Sequence, residues 1–384
     1  MGKILAIGSK NSPKRNLFTG QSSMFEGLVE NLHIKGGKVD VVNISNFFNI
    51  NSSGRFSLLR SIEYIGIIFN VFIKVCFNKY TMLYLNTAQS KVGFIRDYVI
   101  IYLTHLFGIR ICMHQFGANY SGFYKSLPPF FKKRLIKTLN KVDKIIVEGD
   151  YTKKQFSFME DYLNKVVTIP NGLPGKDITV KYDSKVYNAA QPLNMIYLSN
   201  MIVSKGYLDV LKAVDLLVNI YKRNVHCVFA GRFMMTSDDQ QDINSSKSYF
   251  FDYLKQHNLT ANVEYFEGLY GDLKEKAFNN SHVFLLPSYY INEGQPLAVL
   301  EAMAYGNVCI VTNYRLIPDM VKADNGLFVE AKSPENIAKN VIYLMDNPVL
   351  YSSMSKAAIA KYRADYTFDI YCEKIVNIFD TFLI

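Results

Sequence analysis

Short apolar runs alternate with stretches of helical periodicity through residues 1–170. Apolar runs of roughly 4–8 residues that end in turn residues predict buried strands, and apolar spacings of three and four predict helices. The predicted strands are residues 3–7, 39–43, 82–86, 110–114, 144–148 and 166–169. The predicted helices are residues 22–33, 58–77, 95–107, 130–139 and 152–158. This repeated alternation predicts an α/β fold with a parallel, doubly wound sheet.

The alternation stops at residues 172–192, which contain two glycines and several lysines but no clear period. It then starts again. The predicted strands are residues 194–198, 226–230, 263–266, 283–286 and 308–311. The predicted helices are residues 206–221, 246–256, 272–280, 297–305 and 334–345. We therefore expect two such domains, residues 1–180 and 181–365, followed by an amphipathic helical segment at 366–384.

Residues 283–312 carry the clearest candidate for a binding site. They read as strand, loop, helix and strand, and Pro296 suits the first helical position because its missing N–H costs nothing there. The start of this helix follows the end of a parallel strand, so its free amides and the positive end of the helix dipole favour an anion. The candidate groups at this helix start are Gly294, Gln295, Leu297 and Ala298.

Two carboxylates accompany this helix start, Glu293 in the loop and Glu301 inside the helix. Alone, such a pair is most often two solvated surface charges. Here Pro-Ser precedes them, Glu-Gly-x-Pro opens the helix and Glu-Ala-Met-Ala-x-Gly ends it. With these motifs the sequence resembles glycosyltransferase family 4, whose GT-B fold has two Rossmann-like domains with a cleft between them. The resemblance implies that Glu293 contacts the sugar of a nucleotide diphosphate sugar, that Glu301 binds its ribose, and that transfer retains the anomeric configuration.

The resemblance covers the whole chain and implies further features. The segment at 366–384 is expected to pack back on the N-terminal domain, as the terminal helix of a GT-B fold does. Helix amides and Lys205 are expected to stabilise the leaving diphosphate, an electrostatic role that can replace a metal. We see no paired-Asp or His/Cys ligand cluster that would hold a metal. We therefore expect no cofactor and no metal, with the nucleotide sugar as co-substrate.

A second set of candidates concerns the donor diphosphate. Lys205 follows the predicted strand 194–198 and precedes a helix, a position that suits a pyrophosphate; a surface lysine is the alternative. Family 4 members carry Gly-Arg early in this loop, whereas this chain has Ser199 and Asn200 there. One of the two usual cations is therefore missing from its place. Arg232, after the next strand, is a candidate replacement, with a surface arginine as the alternative.

His114 ends the predicted strand 110–114 and precedes a glycine loop, a position from which an imidazole can hydrogen-bond a substrate hydroxyl. A satisfied structural histidine is the alternative. With Gly117 and the later pair Phe123 and Tyr124, His114 resembles a family 4 segment. In that segment the histidine contacts the donor sugar near the reacting carbon, which implies the same role here.

Three further residues are candidates for contacts with the sugar and the acceptor. Gly20 follows the first strand, where family members carry glycine so that the backbone can approach the sugar and diphosphate. Gln89 and Ser90 lie after the predicted strand 82–86, in a loop that we expect on the acceptor side. A helix cap beside a surface ion pair is the alternative for that loop.

The predicted helix at 130–139 combines apolar and basic side chains, a mixture that fits an anionic membrane surface. A solvated basic face is the alternative. The side chains concerned are Phe130, Phe131, Lys132, Lys133, Arg134 and Leu135.

Composition bears on partners and location. The formal net charge of +10 favours phosphate-bearing or anionic lipid partners, and no nucleic-acid-binding motif accompanies it. The five cysteines have no paired spacing and lie mostly in apolar runs, which favours a reducing compartment. We find no signal peptide and no apolar run of about 20 residues. We expect a cytoplasmic protein with peripheral attachment to the inner face of the cell membrane.

Together these features predict a retaining glycosyltransferase that moves a sugar from a nucleotide diphosphate sugar to a saccharide or lipid-linked saccharide, in cell-surface polysaccharide biosynthesis. Two alternatives stay open. One is a non-catalytic nucleotide-sugar-binding subunit, suggested by Asn200 in the place of the usual arginine. The other is a GT-B epimerase. The P-loop and G-x-G-x-x-G fingerprints are absent, which disfavours a kinase or a dehydrogenase.

Overall fold

The computed structural model describes residues 2–11, 19–45, 58–175, 184–235 and 242–382 of the 384-residue chain. The chain divides into two compact units. Unit 1 contains Met1–Gly175 together with Phe368–Ile384, and unit 2 contains Lys176–Thr367. The domain boundary expected between residues 180 and 181 lies outside the described residues.

A parallel sheet of six described strands forms the centre of unit 1. Its strands are β1 (Ile4–Gly8), β2 (Val39–Asn43), β3 (Met82–Asn86), β4 (Arg110–His114), β5 (Lys144–Val147) and β6 (Val166–Thr168). Its helices are α1 (Gly20–Ile34), α2 (Leu58–Phe77), α3 (Lys91–Leu106), α4 (Tyr120–Ser126), α5 (Pro129–Leu139), α6 (Asp150–Lys154), α7 (Tyr162–Lys165) and α15 (Phe368–Asp380). The strand order β2-β1-β3-β4-β5-β6 confirms the predicted parallel α/β class.

Unit 2 repeats this design with a second parallel sheet of six described strands, in the order β12-β11-β10-β7-β8-β9. Its strands are β7 (Leu193–Leu198), β8 (Val225–Ala230), β9 (Val263–Phe266), β10 (Val283–Leu286), β11 (Val308–Thr312) and β12 (Gly326–Val329). Its helices are α8 (Tyr207–Asp215), α9 (Ile243–Gln256), α10 (Gly271–Asn280), α11 (Leu297–Ala304), α12 (Ile317–Met320), α13 (Pro334–Asp346) and α14 (Pro348–Asp365).

The structure departs from the sequence prediction mainly in its helices, and it also contains the strand β12, which was not predicted. α14 is missing from the prediction because tyrosine, serine and alanine occupy many of its inward positions and weaken the apolar periodicity. α4, α7 and α12 are also missing, because helices of 7, 4 and 4 residues are too short to show a helical period. The helix expected at 206–221 is α8 followed by a π-helical turn, Leu216–Ile220. The helix expected at 152–158 already ends at Lys154.

Helix α15 packs within unit 1, on the same side as α1. The Phe379 ring of α15 lies 5.8 Å from the Tyr84 ring of β3, in an edge-to-face arrangement. A Cβ atom on Gly27 of α1 would lie 2.7 Å from the Phe368 ring, so the absence of a side chain there lets α15 approach α1 closely.

Helices α2, α3 and α5 share one core. Ile67 of α2, Ile100 of α3 and Leu135 of α5 belong to a single buried cluster with Leu83 and Ile111 of the sheet. These three helices therefore cover a common face of the unit 1 sheet, and their outer sides form one surface. Along the described residues, no helix combines the length and the hydropathy that crossing a bilayer requires.

Candidate functional site

The candidate site of unit 2 lies at the carboxyl edge of its sheet, where β10 stands beside β7. Parallel strands that are neighbours bring their following loops together at one edge, which is where α/β sheets bind ligands. The Tyr289 N–H donates to the Ser204 carbonyl at 2.8 Å, so the loop after β10 is bound to the loop after β7. This contact places Lys205 and Glu293, which are 88 positions apart in sequence, on adjoining loops.

Lys205 and Glu293 form an ion pair. The Lys205 Nζ lies 3.3 Å from Glu293 Oε1, with 16% of the lysine side chain and 5% of the glutamate side chain exposed. The other carboxylate oxygen, Oε2, accepts a hydrogen bond from the Ser288 hydroxyl at 2.5 Å. The Lys205 ammonium also lies 5.3 Å from the centre of the Tyr290 ring. The carboxylate is therefore fixed by two partners, while the ammonium keeps part of its surface open to an anion.

Gly206 allows this approach of the two loops. It has φ +85°, in the left-handed region, and it precedes α8. A Cβ atom at this position would lie 2.6 Å from both the carbonyl oxygen and Cγ of Pro287, immediately before Ser288. Only glycine fits this backbone conformation and this contact without displacing the loop after β10.

We expect Gly206→Ala to lower the free energy of unfolding by about 3 kcal/mol, because a left-handed non-glycine residue and a backbone clash add together. Gly271→Ala is the matched control, since Gly271 also has positive φ but nothing lies within 4 Å of its added Cβ. That control should show only the left-handed cost, about 1–2 kcal/mol. Urea unfolding of both variants measures the difference, and equal losses would show that the Pro287 contact is unimportant.

The loop that leads into helix α11 contains the buried Glu293 and Gln295. Pro296 was expected at the first helical position but is the N-cap, with φ −70° and ψ 118°. The first helical residue is therefore Leu297. The amides of Leu297 and Ala298 are in the first turn, where helix amides have no helical acceptor. The first helical residue therefore lies two residues beyond Gln295 and three beyond Gly294, so these amides remain candidates for binding an anion.

Glu301 lies on the flank of α11 with 13% of its side chain exposed. Its Oε1 pairs with the Lys274 ammonium of α10 at 2.5 Å. Lys274 is a residue that sequence reasoning missed, because nothing in the sequence of α10 indicates that its lysine meets a carboxylate 27 positions later. The lysine orients one carboxylate oxygen of Glu301, which leaves the other oxygen to accept a hydroxyl group.

The loops after β7 and β8 are also bound together. The Met201 N–H donates to the Arg232 carbonyl at 2.7 Å, and the Asn200 carbonyl accepts from the Tyr197 hydroxyl at 3.1 Å. The Asn200 side chain is exposed, and Arg232 is half-buried in the adjoining loop. The cation proposed to replace the missing arginine is therefore carried by the neighbouring loop.

Unit 1 places His114 at the carboxyl end of β4, but fully buried, at 0% exposure. Its Nδ1 shares a hydrogen bond with the Tyr84 hydroxyl at 2.7 Å, and its ring stacks on Phe116 with centroids 4.0 Å apart. The Nε2 atom has no hydrogen-bond partner among the described residues. Burial lowers the pKa of His114 to about 3, so the imidazole is neutral at physiological pH. The sequence predicted the strand end correctly but not this degree of burial.

Asn86 is a second buried polar group at this edge that sequence reasoning missed. It ends β3 and pairs in register with His114 of β4. It is 0% exposed, and neither its Oδ1 nor its Nδ2 has a partner among the described residues. The sequence offered one signal for Asn86, namely a polar residue at the carboxyl end of a predicted buried strand. Unpaired buried amide and imidazole atoms side by side suit a ligand hydroxyl.

Gln89 and Ser90 have different structural roles. The Gln89 Nε2 donates to the Phe116 carbonyl at 2.5 Å and so joins the loop after β3 to the loop that follows His114. Ser90 is the N-cap of α3, with its hydroxyl accepting from the Gly93 N–H at 3.2 Å. The helix-cap alternative therefore describes Ser90. The neighbouring ion pair of Arg96 and Asp97 is buried rather than on the surface.

Gly20 is the first residue of α1 rather than part of a loop. Thr19 caps this helix, accepting from the Ser22 N–H at 3.1 Å, and the Ser22 hydroxyl accepts from the Thr19 N–H at 3.1 Å. The stretch between β1 and Thr19 includes residues 12–18, which lie outside the described residues. Gly20 is exposed at this helix start.

Comparison with known proteins gives one family and several relatives. The family model described as Glycosyl transferases group 1 matches residues 182–361. An uncharacterized glycosyltransferase of Haemophilus influenzae is 24% identical over 294 residues, which cover 71% of this chain and 70% of that protein. The UDP-Gal:alpha-D-GlcNAc-diphosphoundecaprenol alpha-1,3-galactosyltransferase of Escherichia coli is 34% identical over 106 residues. That match covers 25% of this chain and only 27% of the relative.

A solved structure matches the chain over its full length. HepE of Anabaena, in complex with UDP and glucose, superposes with a TM-score of 0.70 at 12% identity, covering 99% of this chain and 100% of that chain. At this identity the likeness establishes the fold, which is GT-B, as the sequence predicted. The family match lies in unit 2, which contains the Lys205–Glu293 pair and the start of α11.

Proposed function

We propose that this chain, a glycosyltransferase with the GT-B fold, moves a sugar from a nucleotide diphosphate sugar to a saccharide or lipid-linked saccharide, with retention of the anomeric configuration. The observation that carries the proposal is the ion pair of the partly exposed Lys205 with the buried Glu293, at the carboxyl edge of β7 and β10. It combines a cation for a diphosphate with a fixed carboxylate for a sugar hydroxyl, directly before the start of α11.

Different groups of unit 2 bind the diphosphate, the transferred sugar and the ribose of the donor. The partly open Lys205 ammonium and the first amides of α11 supply the positive charge for the diphosphate. Glu293 accepts hydrogen bonds from the transferred sugar. Glu301, with one oxygen held by Lys274, accepts from the ribose hydroxyls through the other. The HepE complex with UDP supports uridine as the nucleoside of the donor.

In the proposed reaction, the bond between the anomeric carbon and the diphosphate oxygen breaks while the acceptor oxygen attacks from the same face. The acceptor proton passes to the leaving phosphate, so no side chain has to act as a general base. Lys205 and the helix amides stabilise the charge that develops on the diphosphate, an electrostatic role of the oxyanion-hole type. We therefore propose that transfer needs no metal and no cofactor.

We propose a lipid-linked saccharide as the acceptor, met at the cytoplasmic face of an anionic membrane during assembly of a cell-surface polysaccharide. The Escherichia coli relative, a galactosyltransferase with a diphosphoundecaprenol-linked acceptor, supports this over the quarter of its length that matches. The net charge of +10 favours an anionic surface.

A transfer assay tests the proposed function. The purified chain is incubated with each of a panel of UDP-sugars, with and without a polyprenyl-diphosphate-linked sugar acceptor, and the products are separated by mass spectrometry. An acceptor extended by one hexose, with the α-linkage shown by NMR, is the expected result for an α-linked donor. Binding of UDP without any turnover would indicate a non-catalytic subunit. Conversion of the donor sugar without an acceptor would indicate an epimerase.

We expect Lys205→Met to raise the Kd for UDP about 10-fold or more, because it removes a charge-assisted contact worth about 1.5–3 kcal/mol. Lys212→Met is the matched control, since Lys212 is an exposed lysine on α8. Isothermal titration of UDP against both variants measures the change. Unaltered UDP affinity in Lys205→Met would place the diphosphate elsewhere.

A further inference from the structure

The outward side of α2 is apolar along most of its length. Its inward residues Ile67, Val71 and Val75 are buried in the unit 1 core. Residues 64–73 contain no Asp, Glu, Lys or Arg. Six large side chains, each 41–82% exposed, form what we call the α2 stripe: Ile62, Ile65, Phe69, Phe72, Ile73 and Phe77.

The α2 stripe is a continuous feature and not a scatter of single residues. Its members are spaced by one, three and four positions, which keeps them on one side of a helix, opposite the buried side. At about 1.5 Å of rise per residue the stripe extends over roughly 22 Å. Surface helices normally turn polar residues outward, and contiguous exposed apolar patches mark interaction sites.

The two neighbouring helices extend this surface. Ile95 and Leu106 of α3 are 49% and 80% exposed, and Phe130 of α5 is 62% exposed. The Arg134 side chain of α5 joins the two helices, since its Nη1 donates to the Tyr98 hydroxyl of α3 at 3.0 Å. The same guanidinium lies 5.1 Å from the centre of the Phe130 ring.

Helix α5 contributes charge rather than apolar area, which corrects the expectation from its sequence. Leu135 is buried and Phe131 packs against the unit 1 core, so of the expected apolar residues only Phe130 remains largely exposed. Its outward side instead presents the exposed cations Lys133 and Lys137. The surface thus combines an apolar strip on α2 with cations on α5.

We propose that this surface docks on an anionic membrane, with α2 lying in the plane of the interface. The α2 stripe enters the boundary between headgroups and acyl chains, and Lys133 and Lys137 contact the phosphates of anionic lipids. The buried side of α2 keeps the helix on unit 1, so it lies on the bilayer and does not cross it. Charge complementarity favours this partner, because an apolar protein partner would leave the α5 cations without a counter-charge. This docking surface rests on the proposed function, because it is where the chain would reach a lipid-linked acceptor.

Vesicle binding tests the proposal without any transfer reaction. The full chain is sedimented with vesicles of phosphatidylcholine alone or of phosphatidylcholine mixed with phosphatidylglycerol. We expect retention on the anionic vesicles that weakens with added salt, and at least a 10-fold weaker partition for the double variant Phe69→Glu/Phe72→Glu. The matched control is Leu273→Glu/Val349→Glu, which introduces the same charges at exposed apolar residues of unit 2 and should bind as the unmodified chain does.

Cys76 provides a second readout within the same surface. It is the exposed cysteine of α2, whereas the other four cysteines are buried, so a polarity-sensitive dye can be attached there selectively. A blue shift of the dye on adding anionic vesicles is expected. Failure of anionic vesicles to retain the chain, or equal retention of the Phe69→Glu/Phe72→Glu variant, would overturn the proposal. The proposal would also be overturned by a different pattern: light scattering shows a dimer of the unmodified chain and a monomer of the variant, and vesicles bind neither of them.

Transfer to a water-soluble acceptor separates this proposal from the proposed function. The Phe69→Glu/Phe72→Glu variant should keep its rate with a soluble acceptor and lose rate only with an acceptor embedded in vesicles. Vesicle binding without any transfer would leave the docking surface standing and reject the proposed reaction.

Discussion

Replacing Glu293 by glutamine should lower kcat for sugar transfer by about 100-fold or more while the chain stays folded. The substitution keeps the size of the side chain but removes the negative charge that Lys205 and Ser288 hold in place. Preorganised charge at a reacting centre typically contributes about 10²–10³ in rate. Initial rates at saturating donor and acceptor, compared with the Kd for UDP, separate a loss in kcat from a loss in donor binding.

Two controls make this result interpretable. Glu330→Gln changes an exposed glutamate of unit 2 in the same way and should leave the rate unchanged. Thermal unfolding of Glu293→Gln reports whether the loss of its ion pair with Lys205 destabilises unit 2. Full activity in a folded Glu293→Gln variant would exclude this carboxylate from the reaction.

Most strands could be predicted from the sequence because buried parallel strands are nearly continuous apolar runs. The exception is β12, which begins at a glycine and leaves Phe328 exposed. β2, β3, β4, β9 and β10 begin and end at the predicted residues. Helices with mixed inward residues could not be predicted in the same way. In α14 the buried positions include Tyr351, Ser355 and Tyr362, whose burial depends on partners that periodicity does not reveal. The Ser355 hydroxyl, for example, donates to the Gly306 carbonyl at 2.7 Å.

In the candidate site too, local features could be predicted from the sequence and contacts between distant elements could not. The loop, helix start and strand around Glu293 are local in sequence, and the predicted strand-loop-helix-strand order is present. Partners from distant elements are not local. Lys274 reaches Glu301 from another helix, and Asn86 meets His114 only because β3 and β4 pair in register. Sheet topology supplies these contacts, and no spacing rule in the sequence encodes them.

The outward side of α2 shows what an accurate helix prediction leaves open. Its apolar composition predicts a long helix at 58–77, with the bounds that the structure has. The sequence alone does not show that half of this apolar surface stays exposed, since a helix that is apolar all round is normally buried. The sequence instead pointed to α5 for membrane contact, where Leu135 in fact faces the core.

Lowering the pH from 7 to 4 should reduce the unfolding free energy of the unmodified chain, and His114→Asn should remove about 3 kcal/mol of that reduction. His114 has a pKa of about 3 in the folded chain because it is buried, against about 6.5 when unfolded. Between these values the unfolded state binds the proton and the folded state does not, so stability is fully present above about pH 6.5 and is lost as the pH falls towards 3. Asparagine cannot titrate, yet its amide can still bond to the Tyr84 hydroxyl.

Urea unfolding at both pH values, followed by circular dichroism, measures this difference. His33→Asn is the matched control, because His33 is exposed on α1 of the same unit and should leave the pH dependence unchanged. His282 of unit 2, whose pKa burial lowers to about 4, contributes a separate loss that both variants retain. A pH dependence in His114→Asn equal to that of the unmodified chain would mean that the imidazole is open to protons in the folded state. The same experiment repeated with saturating UDP-sugar asks whether the donor reaches this histidine, since a ligand hydrogen-bonded to Nε2 should hold the neutral form and lower the pH at which stability is lost.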